Sequence, residues 1–289
     1  MPNFRRRPFL VGVGVRVACY AATMVVGFNV GIALMVAVGG RRSLFDPTPW
    51  SQAWELFFSR QVQTGFWFAL IGLFVVNFVI QVSHKIGPGV ALNWLLGRYH
   101  KPKQEERFFM FLDIKDSTPL AERLGNERFS LFVRDFFDDM TYPLIKTRAE
   151  VSHYIGDEVV VSWRIPYGQR NQNALRLFGL VGEAIEARRQ QYLREFGEMP
   201  RFKAGLHVGR VVATDVGGLK SEIVFHGDVL NTTARVVGLC GPLGEDFLLT
   251  DEAAQLLPGP IQTVALGEFE LKGKAEPVAI SAVRLHPTP

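Results

Sequence analysis

The sequence predicts an α/β fold with helices packed on a mixed sheet, preceded by two membrane-spanning helices. Three observations carry that expectation. Two runs without any charged residue, Val17 to Val38 and Thr64 to Val82, lie near the start of the 289 residues. From Arg107 onward, short β-type runs alternate with stretches of helical periodicity. Charge is also divided: residues 1–104 hold 11 Lys/Arg against 2 Asp/Glu, whereas residues 105–289 hold 21 against 26. The basic excess flanks the apolar runs, which is a membrane pattern, and the acidic remainder gives no reason to expect a nucleic-acid partner.

As helices the two runs would measure roughly 33 and 28 Å, enough to cross the hydrocarbon layer. Arg5, Arg6, Arg7 and Arg16 precede the first; Lys85, Arg98, Lys101 and Lys103 follow the second. The connecting loop mixes Arg41, Arg42 and Arg60 with Asp46 and Glu55, so the positive-inside bias places both ends in the cytoplasm. The expectation is a multi-pass inner-membrane anchor over residues 1–83, in contact with lipid, with helices at about 17–38 and 64–82. The first run is too long for an ordinary signal-peptide core. Gly27 and Gly31 make a GxxxG match, either a helix-dimer contact or ordinary membrane-helix glycines. Residues 41–63 are too few for a folded sensor domain. Residues 84–104 read as a connector, either a plain spacer or one with a short interfacial helix over Val90 to Leu96, with Trp94 and Tyr99 at headgroup depth. Cys19 and Cys240 are far apart without metal-type spacing, which points to free thiols.

Within residues 105–289 the first strand runs into Asp113 (FMFLD), and the turn after it carries Lys115, Asp116, Ser117 and Thr118. Thr118 is the expected N-cap and Pro119 the first helical residue. Phe129, Phe132, Val133, Phe136, Met140 and Leu144 recur at helical spacing, predicting one helix over Asn126 to Ala149. Glu150 to Ile155 and Glu158 to Trp163 form a hairpin about Gly156 and Asp157. Asn171 to Phe196 reads as a second long helix, with Arg188, Arg189 and Arg194 on a solvated face. Arg201 to Asp215, Ile223 to Phe225, Phe247 to Thr250, Gln262 to Leu271 and Val278 to Leu285 supply further strands.

Two segments carry the chemistry. Asp113 and Asp157 sit at strand ends on neighbouring strands, which is how proteins hold hard divalent cations, Mg²⁺ or Mn²⁺, with nucleotide phosphates supplying the remaining oxygens. Free N–H groups of the turn at 115–118 point toward such phosphates. Asp116 is either a third ligand or the turn's own charge. Farther on, a helix starting near Asp228 puts Asn231 and Arg235 on one face, suited to a ribose oxygen and to a phosphorus centre gaining negative charge.

FLDIKDST, HYIGDEVVV, HGDVLNTTAR and LKGKAEPVAI, in this order, resemble the class III nucleotidyl cyclases, the adenylate and guanylate cyclases, over about Arg107 to Leu285. The resemblance implies a ferredoxin-like catalytic domain at 105–289 that converts a nucleoside triphosphate, with ATP favoured, to the 3′,5′-cyclic monophosphate and pyrophosphate. It implies two metal ions on Asp113 and Asp157, with the carbonyl of Ile114 as a further ligand. It also implies Asn231 orienting the ribose, Arg235 meeting the α-phosphate, and Lys272, or Lys274 in its place, on the triphosphate tail. In this family one subunit gives the metal residues and the other the Asn/Arg pair, so a homodimer is expected. The base-reading positions fall on His153 and Val224, which depart from the family's usual residues. That leaves GTP or a pyrimidine nucleotide as alternatives to ATP. Gly156-Asp157-Glu158 also resembles part of the diguanylate cyclase hairpin, but those enzymes lack the Asn-x₃-Arg helix. A membrane-tethered, non-catalytic nucleotide-binding or dimerisation module would be expected to lack one of the metal aspartates or the Asn/Arg pair, and this chain has both.

Overall fold

The structure is a computed structural model and describes residues 9–41, 43–86, 99–217 and 222–284. Arg5 to Arg7, Arg42, Arg98, Leu285 and the connector residues 87–98 lie outside the described residues. The chain divides into two compact units, Met1–Pro88 and Gly89–Pro289.

The first unit has three helices: α1 (Phe9–Gly40), α2 (Pro47–Phe57) and α3 (Arg60–Ile86). Both charge-free runs fall inside α1 and α3, whose stretches Gly14–Gly40 and Arg60–Gln81 are long and apolar enough to cross a bilayer. Their outer faces expose large apolar side chains, among them Val26, Met35, Val38, Trp67, Phe68 and Ile71. A soluble core helix would hide such residues. The mixed-charge connecting segment contains α2, opened by Pro47 and Pro49 in its first turn. Phe57 of α2 meets Phe28 of α1 and Phe66 of α3 at ring distances of 5.7 and 5.5 Å, closing the three helices around an aromatic cluster. In the apolar helices the Asn29 and Asn77 amides donate back to the carbonyls of Val25 and Leu73, each at 2.9 Å. The amide nitrogens are thereby partnered, while Asn29 Oδ1 is buried without a partner. Gly27 and Gly31 face outward, where an added methyl group would meet nothing within 4 Å.

The second unit is an eight-stranded sheet with helices on both faces. Strands β1 (Lys103–Ile114), β2 (Glu150–Ile155), β3 (Glu158–Arg164) and β4 (Phe202–Val216) lie side by side as β2-β3-β1-β4, all antiparallel. With helices between β1 and β2 and between β3 and β4, this is the ferredoxin-like order. The sheet continues from β4 through β6 (Phe247–Thr250) and β8 (Val278–Val283) to β7 (Thr263–Phe269), while β5 (Glu222–His226) pairs with β4.

Alternation along β1 feeds two cores. Phe108, Met110 and Leu112 point to one face, under Phe132, Phe136, Leu177 and Val181 of the crossover helices. Phe109 and Phe111 point to the other, with Val229, Val236, Val237 and Cys240 of the helix that follows β5. Cys19 and Cys240 are both free thiols.

Several helix boundaries differ from expectation. The helix after β1 is α4 (Ser117–Leu124), starting two residues before Pro119, with Asp116 as its cap in the left-handed region at φ 54°. Proline is tolerated there because first-turn amides have no intrahelical acceptor in any case. The single helix expected over 126–149 is two, α5 (Asn126–Asp139) and α6 (Thr141–Thr147). Pro143 cannot donate to the carbonyl of residue 139, so the first helix stops there. After the short α7 (Ile165–Gln169), the run at 171–196 is also divided, into α8 (Asn173–Glu186) and α9 (Arg189–Phe196), because Asn171 and Gln172 are left-handed and the chain turns at Arg188. Arg188 is not on a solvated face. It bonds Asp139 and Asp135, the latter at 3.0 Å, tying α9 to α5. Arg189 and Arg194 are exposed, as expected.

At its outer end β1 begins in a charged knot. Arg107 is completely buried, with Glu105 at 3.1 Å, the Glu150 carboxylate and Ser162 Oγ as acceptors, and its guanidinium 4.9 Å over the Phe225 ring of β5. Tyr99 Oη donates to Glu105 and accepts from Arg164 at 3.0 Å, while its carbonyl accepts from the Asp215 amide at 3.0 Å.

Candidate active site

Asp113 lies on the face of β1 that carries Phe109 and Phe111, one turn of the pleat past the core. Antiparallel register sets it opposite Glu158 of β3 on one side and Lys203 of β4 on the other. The β2–β3 turn then brings in Asp157, next to Gly156, whose φ of +62° favours glycine. Lys203 Nζ sits 3.0 Å from Asp113 Oδ2. Burial raises the Asp113 carboxyl above its ordinary value; Lys203 works against that shift, and Asp157 adds to it. Burial, followed by repulsion from Asp113 and Asp157, pushes Glu158 up to about 7. Asp157 Oδ2 is buried with no hydrogen-bond partner.

Three carboxyls thus converge, with one ammonium on the β4 side of Asp113, and burial and repulsion are both relieved by a cation. Among the described residues no group of three or more His, Cys, Asp or Glu side chains is arranged to hold a metal ion. An all-oxygen pair of aspartates still fits Mg²⁺ or Mn²⁺, which usually keep open positions for water and phosphate. The Ile114 side chain is buried in the core, so only its carbonyl is available.

The turn after β1 is held from outside. The Lys115 amide donates to the Arg201 carbonyl at 2.8 Å, its ammonium pairs with Asp246, and Asp116 pairs with Arg201. The Asp116 carboxylate therefore acts as the turn's charge. The first intrahelical bond runs from the Leu120 amide to the Asp116 carbonyl, which leaves the Ser117 and Thr118 amides without an intrahelical acceptor.

The second group lies on α10 (Asp228–Leu243). Gly205 and Gly209 of β4 let this helix approach closely: a Cβ on Gly205 would stand 2.5 Å from the Val237 amide nitrogen. Asn231 is exposed and Arg235 half-buried on one side of the helix. The Arg235 guanidinium rests against Gly273, and its Nη1 is buried without a partner. Lys274 pairs with Asp228 at 2.7 Å, while Lys272 is exposed. Among the described residues no hydrogen bond or ion pair joins Asp113 or Asp157 to Asn231, Arg235 or Lys272. His153 lies on β2, its Nδ1 2.9 Å from Ser152 Oγ; burial lowers its pKa, and the Glu222 carboxylate of β5 works against that. Val224, half-buried, is on the same β5.

Residues 100–281 match the family model described as the adenylate and guanylate cyclase catalytic domain. The chain belongs to that family. Adenylate cyclase 2 of Rhizobium meliloti (strain 1021) is 36% identical over 207 residues, covering 71% of this chain and 57% of that protein. The chain thus spans a little over half the length of that relative. Among solved structures, a bacterial light-regulated adenylyl cyclase superposes with a TM-score of 0.60 at 20% identity, covering 74% of this chain and 64% of the other. The adenylyl cyclase CyaB from P. aeruginosa superposes with a TM-score of 0.55 at 20% identity, covering 64% of this chain and 97% of the other. At that identity the structural likeness establishes a shared cyclase fold.

Against the cyclase pattern, the sequence reading passed over Lys203. Only strand register brings it to Asp113, from 90 residues away, and no local motif marks it. Glu158 was seen as part of a triplet, but not as a carboxyl in the same cluster.

Proposed function

We propose that this chain is a membrane-anchored adenylate cyclase that converts ATP to 3′,5′-cyclic AMP and pyrophosphate in sites shared by two copies. The observation that carries the reading is a complementary pair of orphans: a buried carboxylate oxygen on Asp157 and a buried guanidinium nitrogen on Arg235, each without a partner. Their charges are opposite, and no bond joins them within the chain. A second copy that brings one chain's Arg235 to the other's Asp157 region would satisfy both through a metal-bound triphosphate, the cation meeting the carboxylate and the phosphate meeting the guanidinium.

In that site Asp113, Asp157 and the Ile114 carbonyl would hold two divalent cations, Mg²⁺ or Mn²⁺, which would supply Lewis acidity to the 3′-hydroxyl and the triphosphate. The Ser117 and Thr118 amides bind phosphate oxygens, with Lys115 and Asp116 fixing the turn. Asn231 holds the ribose so that its 3′-oxygen faces the α-phosphorus. That oxygen bonds to phosphorus, the bond to the bridging oxygen breaks, and pyrophosphate leaves with the electron pair as the hydroxyl proton is lost to water. Arg235 neutralises charge on the α-phosphate as it grows, and the exposed Lys272 meets the leaving pyrophosphate. His153 and Val224 contact the base edge. The adenylate cyclase relative at 36% identity supports ATP as substrate.

The exposed apolar faces of α1 and α3 support two membrane spans, with the cyclase unit cytoplasmic, where nucleoside triphosphates are found. The test is to incubate the full chain, purified in detergent, with each of the four nucleoside triphosphates and Mg²⁺ or Mn²⁺, and to identify products by mass spectrometry. Cyclic AMP is the expected product. Another cyclic nucleotide as main product overturns the base assignment, and none at all overturns catalysis.

A further inference from the structure

Lys203 is given no part in that mechanism, yet it borders the carboxyl cluster on the β4 side of Asp113. Its Cα is paired directly with that of Asp113 across β1 and β4, so its side chain rises on the same face. The ammonium lies 3.0 Å from Asp113 Oδ2, and both side chains are largely sheltered, at 22% and 23% exposure. Its charge also reaches Glu158, where it opposes the repulsion from Asp113 and Asp157. In the same cluster the Asp157 oxygen has no such partner. One aspartate is therefore covered by a cation from the chain itself, and the other is left open.

We propose that Lys203 is a resident counter-cation of the free site, occupying Asp113 Oδ2 and competing with a divalent cation for that oxygen. The proposal rests on the metal reading given above. A metal ion and an ammonium cannot both take the same lone pair, and at such separation they repel. Binding of a free cation therefore requires Lys203 to leave Asp113. A nucleotide that arrives with its metal gives the displaced ammonium new acceptors in its phosphates, so the lysine favours metal–nucleotide over bare metal. A lysine that merely oriented Asp113 would have the opposite effect, since its loss would weaken metal binding.

The test measures Mn²⁺ binding to the full chain in detergent, without nucleotide, by electron paramagnetic resonance of free Mn²⁺. Lys203→Gln should bind Mn²⁺ more tightly, on the order of fivefold for an ion pair of this exposure. Lys203→Arg, which keeps the charge, should bind as the unaltered protein does. Asp113→Asn should bind more weakly. Unchanged or weaker binding in Lys203→Gln overturns the counter-cation role. Undiminished binding in Asp113→Asn overturns the metal reading instead, which keeps the two failures apart. A thermal melt of each variant identifies any that is unfolded, and Lys203→Met then replaces Lys203→Gln on the same criterion.

Discussion

His207 of β4 is 5% exposed, its Nδ1 2.8 Å from Thr250 Oγ1. Burial, with Lys274 adding to it and Asp228 opposing, lowers its pKa to about 4. The imidazole is therefore neutral near pH 7, and its 3.3 Å approach to the exposed Glu252 is a polar contact, not an ion pair. The unfolded chain takes up this proton first, so the contribution to stability is complete above about pH 6.5 and drains away as pH falls toward 4, by up to about 3 kcal/mol. Melting curves of His207→Asn between pH 7.5 and 4.5 should fall less steeply than those of the parent. Parallel curves would contradict a neutral buried histidine. Asp113→Asn and Asp157→Asn remove the charge of a proposed metal ligand without core volume, and each is expected to lower cyclic nucleotide formation at least about 100-fold with the melting temperature held or raised. Raised stability is the more telling outcome, because these carboxyls repel one another in the free site. Both aspartates were legible in the sequence because each is flanked by its own turn. Lys203 was not, because its partner is set by pairing between distant strands.

At the scale of elements, the α10–β4 contact fixes where Asn231 and Arg235 stand. A methyl group on Gly205 would meet the Val237 amide nitrogen at 2.5 Å and its Cα at 2.9 Å, backbone atoms that cannot swing aside. On Gly209 it would meet the Val229 side chain at 3.1 Å. Gly205→Ala should therefore cost about 1–3 kcal/mol by denaturant unfolding and reduce activity along with it, and Gly209→Ala should cost less. Equal effects would mean that the helix adapts freely. The β2–β3 hairpin was readable to within a residue because its pairing is local and Gly156-Asp157 marks the turn. The breaks at Met140 and Arg188 were hidden because apolar periodicity runs straight through them. Pro143 gave the only local sign of the first. The second depends on Arg188 finding Asp135 and Asp139, which no periodicity encodes.

For the whole molecule, the shared-site reading has a quantitative outcome. Asp157→Ala and Arg235→Ala, each inactive alone, form heterodimers on co-expression with one intact site of two. Random pairing makes half of the dimers mixed, so about a quarter of the parent activity should return. Mixed dimers, isolated by two affinity tags and still inactive, would refute a site built from two copies. Membrane topology is tested separately: reporters fused after Pro289 and at Asp46 should fall on opposite sides, and finding both on one side would remove the two-span arrangement.

The knot at Tyr99, Glu105 and Arg107 gives β1 a mechanical character. The strand is continuous over 12 residues, roughly 40 Å of backbone paired to β4 throughout and to β3 from Arg107 to Asp113, with the knot near one end and Asp113 near the other. Tyr99 is clamped to β4 through Asp215 and to β3 through Arg164, and Arg107 grips β2 and β5. A pull or twist on the chain just ahead of Tyr99 has two outcomes: it breaks a buried ion cluster, or it moves the rod and everything bolted to it together. The strand thus ties the Tyr99 end of the sheet to Asp113 at the other end as one stiff piece.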